Sequence, residues 1–162
     1  MSAKTISGGC QCGAVRFSID RLDNPSICHC RMCQKAFGGF YGPLVTAHGL
    51  VWTRGAPKHF HSSNMVKRGF CADCGTPLTY DYGDLPEIAI GALDNPELAA
   101  PTVQVNPVDK LSFVDGLSLL PFREFGPDDP EVDFMAAFIS HQHPDKDTKH
   151  WVAHKAPVGE NT

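Results

Sequence analysis

The stretch Gly9-Cys10-Gln11-Cys12-Gly13-Ala14-Val15-Arg16-Phe17-Ser18-Ile19 decides how this chain is read. Two cysteines one residue apart make a tight knuckle. Directly after it, Val15, Phe17 and Ile19 fall on one side of a period-two pattern, the mark of a strand with one buried face. A second knuckle, Cys71-Ala-Asp-Cys74, runs through Gly75-Thr-Pro77 into another strand pattern at Leu78–Tyr82. A turn that carries two thiols and feeds a strand, used twice, predicts a β domain braced by metal. Four thiolates satisfy a tetrahedral zinc ion and leave no open position, the structural type of site. The competing reading makes Cys71-x-x-Cys74 a redox pair, which would open a helix in an alternating strand–helix protein.

Outward from these knuckles, the pattern repeats. Short strands are expected near Tyr41–Thr46, Leu50–Thr53, His59–Ser62, Val66–Phe70, Glu87–Gly91, Thr102–Val105 and Leu111–Val114, and Leu22–Pro25 reads as a loop. Residues 34–37 read as one or two helical turns stopped by Gly38-Gly39. Asp128-Asp-Pro-Glu131 starts the best helix pattern, with an acidic cap and proline at the first position. Phe134 with Phe138 and Met135 with Ile139 repeat at i, i+4, which predicts one apolar face packed down to about His141. Glycine and proline number 15 and 13 of 162 residues, which suits many turns and short strands. The fold class expected is mostly β: short strands dominate, with one or two appended helices.

Composition and charge remove several function classes. At 162 residues the chain is one domain, 1–162, too short for an α/β barrel. The longest apolar run is Phe134–Ile139, far short of a membrane span. The N-terminal Met1–Gly9 has no apolar core of a secretory leader, so a cytoplasmic, reducing location is expected. Residues 1–75 hold nine Lys/Arg and three Asp/Glu, net +6, and residues 76–162 hold five and fifteen, net −10. That balance opposes non-specific nucleic-acid binding, and the basic excess beside the cysteines suits a small anionic substrate or plain charge compensation. No membrane or nucleic-acid partner is expected.

All seven cysteines fall in three tight groups, and the odd number would leave one over in a disulfide framework. In a reducing compartment such clusters mean metal or catalysis. The third group is Cys28-His-Cys30-Arg-Met-Cys33. Three protein ligands with an open fourth position is the pattern of a catalytic zinc. Spacing alone leaves two other readings: a closed site completed by His29, His59 or His61, and no metal at all. His29 sits between two ligands and is expected to point away from the metal they share. Arg31 and Lys35 flank the trio and are candidates for substrate carboxylates.

Three segments together resemble one family: Gly9-Cys-Gln-Cys-Gly13, Cys28-His-Cys-x-x-Cys33, and Phe70-Cys-x-x-Cys-Gly75-Thr-x-Leu. They are similar to the glutathione-dependent formaldehyde-activating enzymes, a family that also contains centromere protein V. The resemblance covers roughly residues 8–105, and Ser62-Ser63 and Arg68 fit it as well. It implies a zinc-braced, mostly antiparallel core over 8–105, with a C-terminal extension over 106–162 that carries the helix near 130–141. It implies a structural zinc on Cys10, Cys12, Cys71 and Cys74, and a catalytic zinc on Cys28, Cys30 and Cys33. The activity implied is a carbon–sulfur lyase reaction on a thiol adduct, with glutathione and formaldehyde giving S-hydroxymethylglutathione.

The chemistry agrees with elementary reactivity. A free thiol of pKa near 8.5 is only a few per cent thiolate at pH 7, whereas a coordinated thiol is deprotonated. The trio closes only a short loop, so its zinc is expected to be lost first, which leaves the second site open to partial occupancy. The alternative function is a non-catalytic, zinc-braced binding module. His141-x-His143-x-Asp145-x-Asp147 has a metal-like spacing but follows a helix and is read as non-ligating. Trp52 and Trp151 are read as packing residues.

Overall fold

Val15, Phe17 and Ile19 all turn into the interior and are 3, 0 and 0% exposed, as the period-two pattern requires. The computed structural model describes residues 5–126 and 128–153. The first part of the leader reading, residues 1–4, and the end of the extension, residues 154–162, lie outside them.

Strands β1 (Ile6–Gly9), β2 (Arg16–Ile19) and β5 (Val51–Arg54) form a three-stranded antiparallel sheet in the order β1-β2-β5. The larger sheet holds β3 (Arg21–Cys28), β4 (Gly42–His48), β6 (Lys58–His61), β7 (Lys67–Phe70), β8 (Pro77–Asp81), β9 (Pro86–Ala89) and β10 (Val103–Val105). Its order is β10-β3-β4-β9-β8-β7-β6. Every pairing is antiparallel except β10 with β3, where the chain returns through the 3-10 turns Ile90–Ala92 and Pro96–Ala99 and joins the edge in parallel. The fold is therefore mostly β, as expected.

One apolar cluster lies between the two sheets. Phe17 and Ile19 come from the small sheet and Val45, Ala47, Leu78 and Ile88 from the large one, with Cys10 and Cys71 at its border. Burying one such side chain stabilises by about 1.5–3 kcal/mol. Trp52 packs edge-on against Phe17 with ring centroids 5.8 Å apart.

Three local expectations need correction. Leu22–Pro25 is inside β3, where the register against β4 shifts between Asp23 and Ser26 and Asn24 takes φ 51°. A bulge absorbs the Asn-Pro pair within the strand. Leu111–Val114 forms no strand. Val114 N–H donates to the Leu111 carbonyl at 3.1 Å, and Val114–Leu119 is a 3-10 helix whose backbone is satisfied locally.

The helix expected from Asp128 does form, as α2 (Pro130–Ala137), with Asp129 capping Glu131 N–H at 3.0 Å. Its apolar residues are not packed on the core: Phe134 is 63% and Ile139 78% exposed. Phe138 leaves the helix in extended backbone, and its ring lies 6.2 Å from that of Phe134. The i, i+4 repeat therefore pairs side chains along the segment rather than against a sheet.

Candidate metal centres

Cys10 and Cys12 lie on the turn between β1 and β2, and Cys71 and Cys74 on the turn between β7 and β8. All four sulfurs lie within 4.8 Å of one another. Zinc–sulfur bonds of about 2.3 Å at tetrahedral angles put sulfurs about 3.8 Å apart. The observed separations are 3.6 Å for Cys10–Cys12 and 3.8 Å for Cys12–Cys71. A disulfide would need about 2.0 Å, and all seven cysteines are free. The Cys71-x-x-Cys74 segment is a turn, with Gly75 N–H donating to the Cys71 carbonyl at 2.9 Å, so the redox-helix reading is not what forms. This cluster could hold zinc.

Its electrostatics also suit a cation. Burial pushes the Cys71 thiol up to about 11 and drives Cys12 higher still. Burial also acts against the Cys74 thiolate, but hydrogen bonds from Thr76 and Cys12 outweigh it and bring that thiol down to about 6. Several sulfurs crowded at the edge of an apolar core cannot all ionise without a positive charge among them.

The trio is assembled by one strand–helix junction. Cys28 ends β3, Cys30 caps α1 (Arg31–Phe37), and Cys33 lies in the first turn of that helix. Cys33 N–H donates to Cys30 Sγ at 3.3 Å, the usual capping bond with sulfur as acceptor. Gly38 closes the helix in left-handed backbone at φ 60°, as the Gly-Gly pair predicts. The three sulfurs again lie within 4.8 Å of one another. Among the described residues no histidine joins them. His29 is fully buried with Nε2 bonded to Gln104 Oε1 at 2.9 Å, and His59 faces Asp81 at 3.3 Å.

Two side chains donate to these sulfurs. Asn106 Nδ2 donates to Cys28 Sγ at 3.1 Å, and Arg68 Nη2 to Cys33 Sγ at 3.4 Å. Burial pushes the Cys28 thiol up, yet the Asn106 amide, the Cys30 backbone and the neighbouring thiols together bring it below its ordinary value. Burial dominates at Cys33, which rises to about 12 despite Arg68.

The trio lines a cleft of about 770 Å³. Its floor is a row of cross-strand neighbours: Arg68 on β7 opposite Tyr80 on β8, Tyr80 opposite Glu87 on β9, and Glu87 opposite Thr46 on β4. The Arg68 guanidinium lies 4.8 Å from the Tyr80 ring centroid.

A family model described as glutathione-dependent formaldehyde-activating enzyme matches residues 5–107. The chain belongs to the glutathione-dependent formaldehyde-activating enzyme family. A solved Rhodobacter sphaeroides protein has a similar fold, with a TM-score of 0.51 and 21% identity over 61% of this chain and 99% of that one. At that identity the likeness speaks for the fold. No curated protein matches this chain in sequence.

In this family member all seven cysteines stand out in the sequence, whereas Asn106, Tyr80 and Glu87 join the trio only in the fold. Asn106-Pro107 has a turn signature, yet only the parallel pairing of β10 with β3 brings it to Cys28. Arg31 and Lys35 are not in the cleft. They line a neighbouring groove with Phe60 and Ser62, and Arg31 Nη1 donates to Gln34 Oε1 at 2.9 Å.

The His141–Asp147 run has another use. His143 N–H donates to the Gln11 carbonyl at 2.7 Å, Asp147 accepts from Arg16 at 2.9 Å, and the Trp151 indole donates to the Cys12 carbonyl at 2.7 Å. The segment straps the first cysteine knuckle. Among the described residues no helix is long and apolar enough to cross a membrane.

Proposed function

We propose that this chain is a zinc-dependent, carbon–sulfur lyase-like enzyme acting on a thiol adduct. The reaction that family membership suggests joins glutathione and formaldehyde into S-hydroxymethylglutathione. Cys10, Cys12, Cys71 and Cys74 are assigned the structural zinc, and Cys28, Cys30 and Cys33 the catalytic one. The chain is read as a single domain of core 8–105 and extension 106–162, working in the cytoplasm on a small thiol.

One observation carries the reading: three thiols within 4.8 Å of one another open on a 770 Å³ cleft with no fourth protein ligand among the described residues. A closed four-ligand site would instead favour a non-catalytic binding module.

The reaction forms one carbon–sulfur bond as the carbonyl π bond opens, and the thiol proton ends on the former carbonyl oxygen. The reverse reaction breaks that bond and returns the proton. Held by the trio, a zinc ion supplies the positive charge that favours the thiolate form of an incoming thiol. The chain supplies the rest. The strand end and helix cap fix the three sulfurs. Asn106 and Arg68 share the charge of Cys28 and Cys33 through hydrogen bonds. Tyr80 brings a hydroxyl into the cleft, protonated at neutral pH and able to donate to an oxygen.

Zinc analysis followed by titration with glutathione and with cysteamine tests this reading. About two zinc ions per chain, one of them perturbed by a thiol, is the expected result. Two zinc ions that both ignore thiols would move the assignment to the binding module.

A further inference from the structure

The charges lining the cleft select among thiols. That selection rests on the trio's metal capturing a thiol and decides which thiol fits. Among the described residues, Arg68 is the one cationic side chain lining the cleft, and it is already engaged. It is 7% exposed, donates Nε–H to Ser62 Oγ at 3.2 Å and Nη2–H to Cys33 Sγ, and stacks on Tyr80.

Three carboxylates share the lining: Asp84, Glu87 and Asp109. Asp109 accepts the Arg31 backbone N–H at 3.1 Å. Glu87 is half-buried between Tyr80 and Thr46, and its carboxylate has no hydrogen bond or ion pair among the described residues. Burial raises its pKa above the ordinary carboxylate value, as expected of an acid that lacks a cation. Cys28 pairs with Gly42 and Glu87 with Thr46, four residues apart on β4, so carboxylate and sulfur belong to one side of the sheet. Three thiolates on a divalent ion add a further formal negative charge.

We propose that the thiol accepted by this cleft carries an ammonium group, which pairs with Glu87 while its sulfur faces Cys28, Cys30 and Cys33. Glutathione brings one ammonium group but two carboxylates, and the described lining has no unengaged cation for either. Volume does not decide the matter, because 770 Å³ holds either ligand. Charge does: an ammonium group gives Glu87 the charge-assisted partner it lacks, and a carboxylate meets like charge.

Calorimetric binding to the zinc-loaded chain at one pH tests this, using cysteamine, N-acetylcysteamine, 3-mercaptopropionate and glutathione. Cysteamine is expected to bind tightest. Its preference over N-acetylcysteamine, which keeps the thiol and loses the charge, should fall about tenfold in Glu87→Gln. Comparing the two ratios cancels differences in thiol acidity. Glutathione or 3-mercaptopropionate binding as tightly as cysteamine would overturn the proposal and leave thiol capture standing. So would a ratio unchanged in Glu87→Gln. Binding of none of the four thiols would overturn thiol capture itself.

Discussion

Asn106 donates its side-chain amide to Cys28 Sγ at 3.1 Å, although the two residues are 78 apart in the chain. The contact depends on topology. Val105 pairs with Cys28 in the parallel β10–β3 ladder, and Asn106 then turns at φ 54°, left-handed backbone that asparagine tolerates better than most residues. The amide thus reaches the sulfur from the strand end next to the trio.

Asn106→Ala should therefore weaken the trio's metal without unfolding the chain. Removing a hydrogen bond to a ligand typically costs about 10–100-fold in metal affinity. Chelator competition read by zinc release should show one site weakened and the other unchanged. Equal retention of both would mean the amide is idle.

Gly42→Ala should have a similar outcome by a steric route. A Cβ at Gly42 would lie 2.9 Å from Cys33 Cβ and 3.0 Å from the Phe37 ring. Both clashing groups belong to α1, so relief from the helix side moves Cys33. The expected result is a folded chain with about half the zinc, read by metal analysis beside circular dichroism. Full zinc content would show that the junction relaxes.

The two centres should differ in their weight for folding. Cys71 is 1% exposed at the edge of the core, and its cluster joins turns about 60 residues apart, where loop closure without metal costs entropy. Structural zinc can contribute on the order of 10–16 kcal/mol, as much as a whole domain's stability of about 5–15 kcal/mol. Cys71→Ser should give insoluble or unfolded protein. A soluble, cooperatively melting Cys71→Ser chain would remove the structural assignment.

The pair Arg16–Asp94 should set part of the acid sensitivity. Arg16 is 3% exposed and grips Asp94 through two bonds of 2.7 and 2.6 Å. Burial pushes the Asp94 carboxyl up, but Arg16 and Ser7 outweigh it and hold it below the ordinary range. A depressed carboxyl contributes stability that is complete above its unfolded pKa, about 3.9, and is lost as pH falls through the folded value. Asp94→Asn should cost about 1.5–3 kcal/mol at pH 7, because Arg16 then keeps only Asp147 as a carboxylate partner. Urea melts at several pH values should show that difference shrinking below about pH 4. A difference independent of pH would contradict the linkage.

Much of this was legible in the sequence because its signals are local. Val15, Phe17 and Ile19 announced their strand by alternation, Gly38 its helix stop, and the cysteine knuckles their turns. What escaped depends on distant pairing. Glu87, Tyr80 and Arg68 become neighbours only once β7, β8 and β9 are in register, and Asn106 needs the parallel edge strand. The helix at Pro130–Ala137 was visible from its cap, but its repeat did not say whether a partner surface exists. Phe134→Ala and Phe138→Ala should change stability by less than about 0.5 kcal/mol, against about 3–5 for Phe17→Ala. Thermal melts of the three variants separate these cases, and a large loss at Phe134 would restore a packed helix.

The central claim is that Cys28, Cys30 and Cys33 hold a zinc whose open position serves thiol chemistry. Exchange NMR of the glutathione–formaldehyde equilibrium, run on the unmodified chain and on Cys30→Ser with zinc content and melting measured on the same samples, tests it most directly. The account predicts that Cys30→Ser stays folded, keeps about one zinc per chain and no longer accelerates exchange. A folded Cys30→Ser chain that accelerates exchange as well as the unmodified one would contradict it.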